Sequence, residues 1–214
     1  MLQYSTFVMN PIQVNCYLLW DNDTRDGAVI DCGAWNQTEQ THLQNFIETE
    51  GIRLTQSLQT HMHFDHVMGA GFIHRQYGLQ PTCHPAEQDI YAAAPDMLRR
   101  WFRIDVGDRM PECKPILSPS SVITLGNTDI QVIHTPGHTP GGVCFYIPSQ
   151  RLLFSGDTLF RQGMGRTDLP GGSYARIIDS IRTRLLTLPP DTKVLPGHGP
   201  ETTIAAESSN FSTP

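Results

Sequence analysis

The sequence has no run of about 18 apolar residues, the length a membrane-spanning helix needs, so no segment reads as a span. It opens Met1-Leu2-Gln3-Tyr4-Ser5, without the basic and then apolar stretches of a secretion signal. Basic charge is also scarce. Fifteen Lys and Arg against 21 Asp and Glu leave a net charge of −6, which offers nucleic acid no electrostatic footprint. Cysteine is limited to five, an odd number with no CxxC spacing, so no disulfide framework is indicated. Cys16, Cys32 and Cys144 lie in apolar runs and read as small core residues, with a reducing cytoplasm as the natural setting. No repeat and no low-complexity segment is present. With 214 residues, 39% of them hydrophobic, the chain suffices for one domain, residues 1–214, with an ample core.

What the chain does have is Thr60-His61-Met62-His63-Phe64-Asp65-His66, three imidazoles and a carboxylate in seven residues. Packing does not favour such a run, because each buried imidazole needs a hydrogen-bond partner or a metal. In an extended conformation His61, His63 and Asp65 point to one side, and a tightening at Asp65-His66 brings His66 to the same place. Nitrogen and carboxylate ligands suit zinc, iron or manganese, and the absence of cysteine from the run argues against a closed structural zinc finger. Three later segments repeat this chemistry at strand ends: Pro136-Gly137-His138-Thr139, Phe154-Ser155-Gly156-Asp157-Thr158 and Pro196-Gly197-His198-Gly199. Loops after strands are where binding residues gather. The five histidines and two aspartates suffice for two metal ions that share one carboxylate.

The coarse pattern alternates strands and helices. Strands are expected at Tyr4–Met9, Val14–Trp20, Gly27–Asp31 and Leu54–Thr60, then Val122–Leu125, Asp129–Ile133, Val143–Ile147 and Arg151–Phe154. Asn36 with Glu39 opens a helix that Gly51 stops. Further helices are expected over Val67–Tyr77, over Pro85–Arg103 with a break or kink at Pro95, and over Ser173–Leu186. Arg109–Pro119, with three prolines, reads as a loop. His134 reads as a strand-end histidine and His42, His74 and His84 as surface groups. Tyr91, Met97, Trp101 and Phe102 fit a helix packing face better than a cofactor box, with a wall of the pocket as their alternative role.

In this order, His61-Met62-His63-Phe64-Asp65-His66, Gly137-His138-Thr139, Gly156-Asp157-Thr158 and Pro196-Gly197-His198-Gly199 resemble the metallo-β-lactamase superfamily. The closest likeness is to the hydroxyacylglutathione hydrolase (glyoxalase II)-like proteins. It extends from Asn15-Cys16-Tyr17-Leu18-Leu19 and Val29-Ile30-Asp31-Cys32-Gly33 to Thr202-Thr203-Ile204. The resemblance implies an α/β protein, an αββα sandwich with the metal site at one edge of two sheets. It implies that His61, His63 and His138 hold one metal, that Asp65, His66 and His198 hold the other, and that Asp157 bridges them.

Two divalent cations, zinc with iron or manganese as alternatives, would lower the pKa of a shared water, polarise a carbonyl and stabilise its oxyanion. Asp65 would be both a ligand and the group that orients the nucleophile or shuttles its proton. A small-molecule thioester is the expected substrate, because thiolate leaves readily. Arg166 stands where glyoxalase II proteins place a basic substrate contact, with an ion pair to Asp168 as its competing role. Two departures matter. Only 16 residues follow His198, so the C-terminal helical domain of full-length glyoxalase II is not expected, and Pro200 replaces a substrate-binding Tyr. A mononuclear iron persulfide dioxygenase competes, but Leu169-Pro170 follows Gly165-Arg166-Thr167-Asp168 in place of its Phe-Gln. A metal-binding descendant with a dead site is disfavoured by the intact ligand set, and a β-lactamase by the missing secretion signal.

Overall fold

Eight consecutive buried residues, Val14–Asp21, show why this chain builds more than two layers. Side chains alternate along a strand, so Tyr17 and Leu19 enter one core while Cys16, Leu18 and Trp20 enter another. Such a strand needs cover on both faces. The computed structural model describes residues 1–105, 110–119 and 121–211.

The first sheet takes β1 (Leu2–Met9), β2 (Val14–Asp21), β3 (Asp26–Ile30), β4 (Arg53–Leu58) and β5 (Pro81–Thr82) in that spatial order. The second begins with β6 (Val122–Leu125), β7 (Thr128–His134), β8 (Val143–Ile147) and β9 (Leu152–Gly156). A short hairpin of β10 (Leu159–Phe160) and β11 (Gly163–Met164) follows, and β12 (Lys193–Pro196) and β13 (Thr202–Thr203) complete the second sheet. Its order is β13-β12-β9-β8-β7-β6.

Between the sheets, Tyr17, Leu19, Ile30 and Leu58 meet Phe145, Ile147, Phe154 and Leu195. Helix α1 (Gln37–Thr49) covers the outer face of the first sheet through Leu43 and Ile47. Asn36 caps it by accepting from the Glu39 N–H at 2.9 Å, as its sequence signal predicts. Two short helices, α2 (Phe64–Val67) and α3 (Ala70–Tyr77), follow β4, and α4 (Gln88–Phe102) packs on α2 through Tyr91, Ala94 and Leu98. Helix α5 (Tyr174–Ser180), a π-helical continuation at Ile181–Leu185 and α6 (Ile204–Phe211) cover the second sheet. The layers therefore run helix, sheet, sheet, helix, an αββα sandwich. Among the described residues no helix is long and apolar enough to cross a membrane.

Four expectations need correction. The helix expected over Val67–Tyr77 starts earlier and is split, because Phe64, Val67 and Met68 are drawn under α4. The helix expected over Ser173–Leu186 loosens to π geometry after Ser180, although Ile177, Ile181 and Leu185 keep one buried face. Trp101 contributes little packing and is 57% exposed. Pro95 does not break its helix, and α4 runs through it. Burial of Tyr91, Ala94 and Leu98 holds the helix together where propensity alone would end it. Residues 110–119 carry no helix or named strand, only a bridge from Lys114 to Thr82, while Arg109 lies outside the described residues.

Proline inside a helix costs about 3 kcal/mol. Pro95→Ala is therefore expected to stabilise the metal-free protein by about 1–3 kcal/mol. At about 2–4 °C per kcal/mol for a chain of this size, that is a clear rise in Tm. A thermal melt with no gain would mean that α4 is already distorted to absorb the missing bond.

Candidate metal centre

Strand direction assembles the site. β9 and β12 pair in parallel, with Leu195 beside Phe154 and Pro196 beside Gly156, so Asp157 and His198 leave the sheet side by side. β7 and β9 are each antiparallel to β8, so β7 delivers its following loop, with His138, to that same edge. In the first sheet β3 and β4 are parallel, and Asp31 and Thr60 emerge together beyond Ile30 and Leu58. The sheets are tied at this edge by the Val143 N–H donating to the Thr60 carbonyl at 2.8 Å. Asn15 adds a bond from its N–H to the Gly197 carbonyl at 2.7 Å, and its side-chain amide donates to the carbonyls of Pro196 and Gly199.

The extended run ends at His63, not at Asp65. His63 is the N-cap of α2 and is extended, whereas Asp65 and His66 lie in that helix's single turn. Helical backbone lets two consecutive side chains reach one cavity, where an extended chain would send them to opposite faces. Asn10 fixes the turn by donating its amide to the Asp65 carbonyl at 2.9 Å.

All seven expected side chains converge. Ligand atoms of His61, His63 and His138 lie within 4.8 Å of one another, and so do those of Asp65, His66 and His198. Asp157 spans the two sets: Oδ1 is 3.4 Å from His66 Nε2, and Oδ2 is 3.5 Å from His138 Nε2 and 3.7 Å from His198 Nε2. A Cβ at Gly197 would stand 2.2 Å from Asp157 Oδ1, so only glycine lets the His198 loop approach the carboxylate. His61 Nε2 and Asp157 Oδ1 are buried without a hydrogen-bond partner. Orphaned polar atoms in a cluster of nitrogen and oxygen donors are what a cation site requires.

The rings are oriented from behind. Asp31 accepts from the Thr60 N–H at 2.8 Å and the Thr60 hydroxyl at 2.6 Å, and its Oδ2 lies 3.0 Å from His66 Nδ1. His66 thereby presents Nε2 to the site, the usual arrangement for a metal-binding imidazole. His138 Nδ1 lies 2.7 Å from the Arg166 carbonyl, and its Nε2 faces His63 Nδ1 at 2.9 Å. Asp31 also lies within reach of His61 and His66 as a possible ligand. Its three hydrogen bonds make it an orienting group instead.

The two halves differ in charge. Burial, reinforced by neighbouring imidazoles, pushes His61 well below the ordinary imidazole range, and burial and His138 bring His63 down to about 4. Burial opposes charge at His66 and His198 as well, but Asp65 and Asp157 hold both above that range. Burial would likewise raise Asp65 and Asp157, and the imidazoles beside them keep both below the usual carboxylate range. Without metal, His61 and His63 are neutral ligands, and the Asp65–His66–His198 half is a network of ion pairs. A cation entering the second half must displace protons.

Arg166 stands outside this cluster. Its exposed guanidinium forms a bidentate pair with Asp168 at 2.8 and 2.7 Å, and only its carbonyl touches a site residue. His84, expected at the surface, is half-buried and stacks on His134 at 4.4 Å, whereas His42 and His74 are exposed.

Sequence reasoning missed Glu87. This fully buried carboxylate takes the Met62 N–H at 2.9 Å and the Gly141 N–H at 2.8 Å, joining the loop of His61 and His63 to that of His138. Its partners are backbone amides 25 and 54 residues away, which leave no mark in local sequence. Asp31 did carry a signal, since it ends an apolar strand just as Asp157 does.

A family model for the metallo-beta-lactamase superfamily matches residues 9–198. Hydroxyacylglutathione hydrolase GloC of Haemophilus influenzae is 34% identical over 196 residues, which cover 91% of this chain and 90% of that protein. The crystal structure of BLEG-1, a B3 metallo-beta-lactamase, has a TM-score of 0.85 at 31% identity and covers 97% of each chain. That of TTHA1623 in a di-iron-bound form has a TM-score of 0.83 at 35% identity and covers 96% of this chain and 98% of that one.

Glu87→Gln leaves one of the two loop amides facing an NH2 group. A buried amide without an acceptor costs about 1–3 kcal/mol, so Tm should fall by several degrees in the metal-free protein. Cation affinity at His61, His63 and His138 is expected to fall about 10- to 100-fold in chelator competition, the scale of lost outer-shell support. Unchanged Tm and affinity would mean that these loops hold their positions without Glu87.

Proposed function

Because the chain belongs to the metallo-beta-lactamase superfamily, and is a metal-dependent hydrolase of it, we propose that it hydrolyses thioesters of the hydroxyacylglutathione type at a two-metal centre. The observation that carries this reading is the Asp157 carboxylate, set between a three-histidine cluster and an Asp65–His66–His198 cluster. His61, His63 and His138 would hold one ion, Asp65, His66 and His198 the other, and Asp157 both. A relative that binds two irons supports the count of two and keeps iron, with manganese, beside zinc as a candidate. Bound there, divalent cations supply Lewis acidity to the thioester carbonyl and to the attacking water.

The protein's own groups do the rest. Asp65, ionised at neutral pH and 3.3 Å from His198 Nε2, accepts a hydrogen bond from the attacking water and takes its proton. The thiolate leaves with little acid assistance. Arg166, whose carbonyl meets His138 and whose guanidinium is exposed, is the candidate anchor for a substrate carboxylate, and would exchange its partner Asp168 for it. The relationship to GloC favours a glutathione thioester, and that to BLEG-1 shows that the same fold also carries β-lactam hydrolysis. Five free cysteines suit a reducing cytoplasm.

Two outcomes are expected. Elemental analysis of metal-loaded protein should give two ions per chain, and Asp157→Ala should lower occupancy of both sites together. A fully loaded single site would remove the dinuclear reading. Thiol release from S-lactoylglutathione should proceed equally without oxygen, and Asp65→Asn should slow it at least about a hundredfold. Turnover that requires dioxygen and forms sulfite from a persulfide would instead identify an iron dioxygenase.

A further inference from the structure

An apolar cleft opens beside the candidate metal centre. Its volume is about 300 Å³, and the His63 ring forms part of its wall. Ile90, Ala93 and Met97 of α4 line one side, at the three- and four-residue spacing of one helix face. Pro140, Leu169 and Pro170 line the other. Several of these apolar side chains are half or fully exposed, an arrangement that leaves apolar surface open to water where it borders a reactive site. Pro140 and the 169–171 loop are in close register, since a Cβ at Gly171 would stand 2.7 Å from Pro140 Cγ. Two separate segments, each tied to the His138 region, thus form the wall opposite α4.

Charge decides what the cleft can accept. Among its described lining residues Asp89 is the one acid, and no Lys or Arg is present. A glutathione moiety carries two carboxylates, which would meet an acid there and no cation. The acyl half of a thioester has no such conflict, and with its carbonyl at the metal ligands it would run past His63 into the cleft. Resting on the thioesterase reading, we propose that this cleft is the acyl-binding site and that it selects uncharged, apolar acyl groups of short to medium length, in preference to anionic ones.

The test is a series of acetyl, butyryl, hexanoyl and succinyl glutathione thioesters on the metal-loaded protein. Each methylene buried contributes about 0.8 kcal/mol, so kcat/KM should rise up to about fourfold for each methylene that the cleft covers. Succinyl thioester should fall below butyryl, and Asp89→Lys should reverse that order. Ala93→Phe, which fills the cleft from an exposed helix position, should flatten the acetyl-to-hexanoyl series to within about twofold without changing metal content. Calorimetry with hexanamide on the metal-free protein gives a readout independent of turnover, with binding expected in the wild type and lost in Ala93→Phe. A flat series in the wild type, with thioesters still cleaved, would overturn the acyl assignment and leave the hydrolase reading intact. Hexanamide binding that Ala93→Phe removes, with no thioester cleaved at all, would keep the cleft as an apolar ligand site and end the thioesterase reading.

Discussion

The parallel pairing of Leu152–Gly156 with Lys193–Pro196 is the constraint on which the candidate centre depends. Parallel neighbours end at the same edge, so Asp157 and His198, 41 residues apart by their numbering, leave the sheet together. The parallel pair Asp26–Ile30 and Arg53–Leu58 does the same for Asp31 and the His61 loop. Both edges coincide because the sheets pack face to face over Tyr17, Phe145, Phe154 and their neighbours, and Asn15 and Val143 link them by hydrogen bonds. A slip in any of these registers would separate ligands that local sequence alone cannot hold together.

Bringing seven polar side chains to a largely dry edge is costly unless their charges are arranged. Here the arrangement is asymmetric. His61 and His63 face other imidazoles and lose their protons, while His66 and His198 face carboxylates and keep theirs. The resulting ion pairs stabilise the metal-free edge, and the orphaned Nε2 of His61 is left as a ready donor. The fold tolerates this polar cluster because backbone and second-rank side chains hold it. Asp31 secures His66, the Arg166 carbonyl secures His138, and Glu87 joins two loops through their amides.

The same framework leaves freedom where specificity lies. The ligand-bearing strand ends are buried between layers, whereas α4 and the 169–171 loop border the site with side chains that take little part in the central core. Substitutions at Ala93, Met97 or Leu169 can change the shape of the cleft without disturbing a ligand. A shared fold can therefore serve a hydrolase such as GloC and a β-lactamase such as BLEG-1.

The sequence by itself determined the ligand inventory and the strand-and-helix alternation, and its motifs carried the resemblance that implied the layered class. Those properties are local: apolar strand-like runs such as Val14–Asp21, the Asn36 cap, and histidines and aspartates set after apolar strands all act over a few residues. Tertiary structure decided the rest. It began the turn at Phe64, ahead of the tightening expected at Asp65-His66, so that Asp65 is helical and not extended, and it carried α4 through Pro95 because burial of Tyr91, Ala94 and Leu98 outweighs one missing bond. It gave Glu87 its role, through amides 25 and 54 residues away. These outcomes rest on backbone amides, charges and apolar faces brought together from distant parts of the chain, and such contacts exist only once the two sheets have closed.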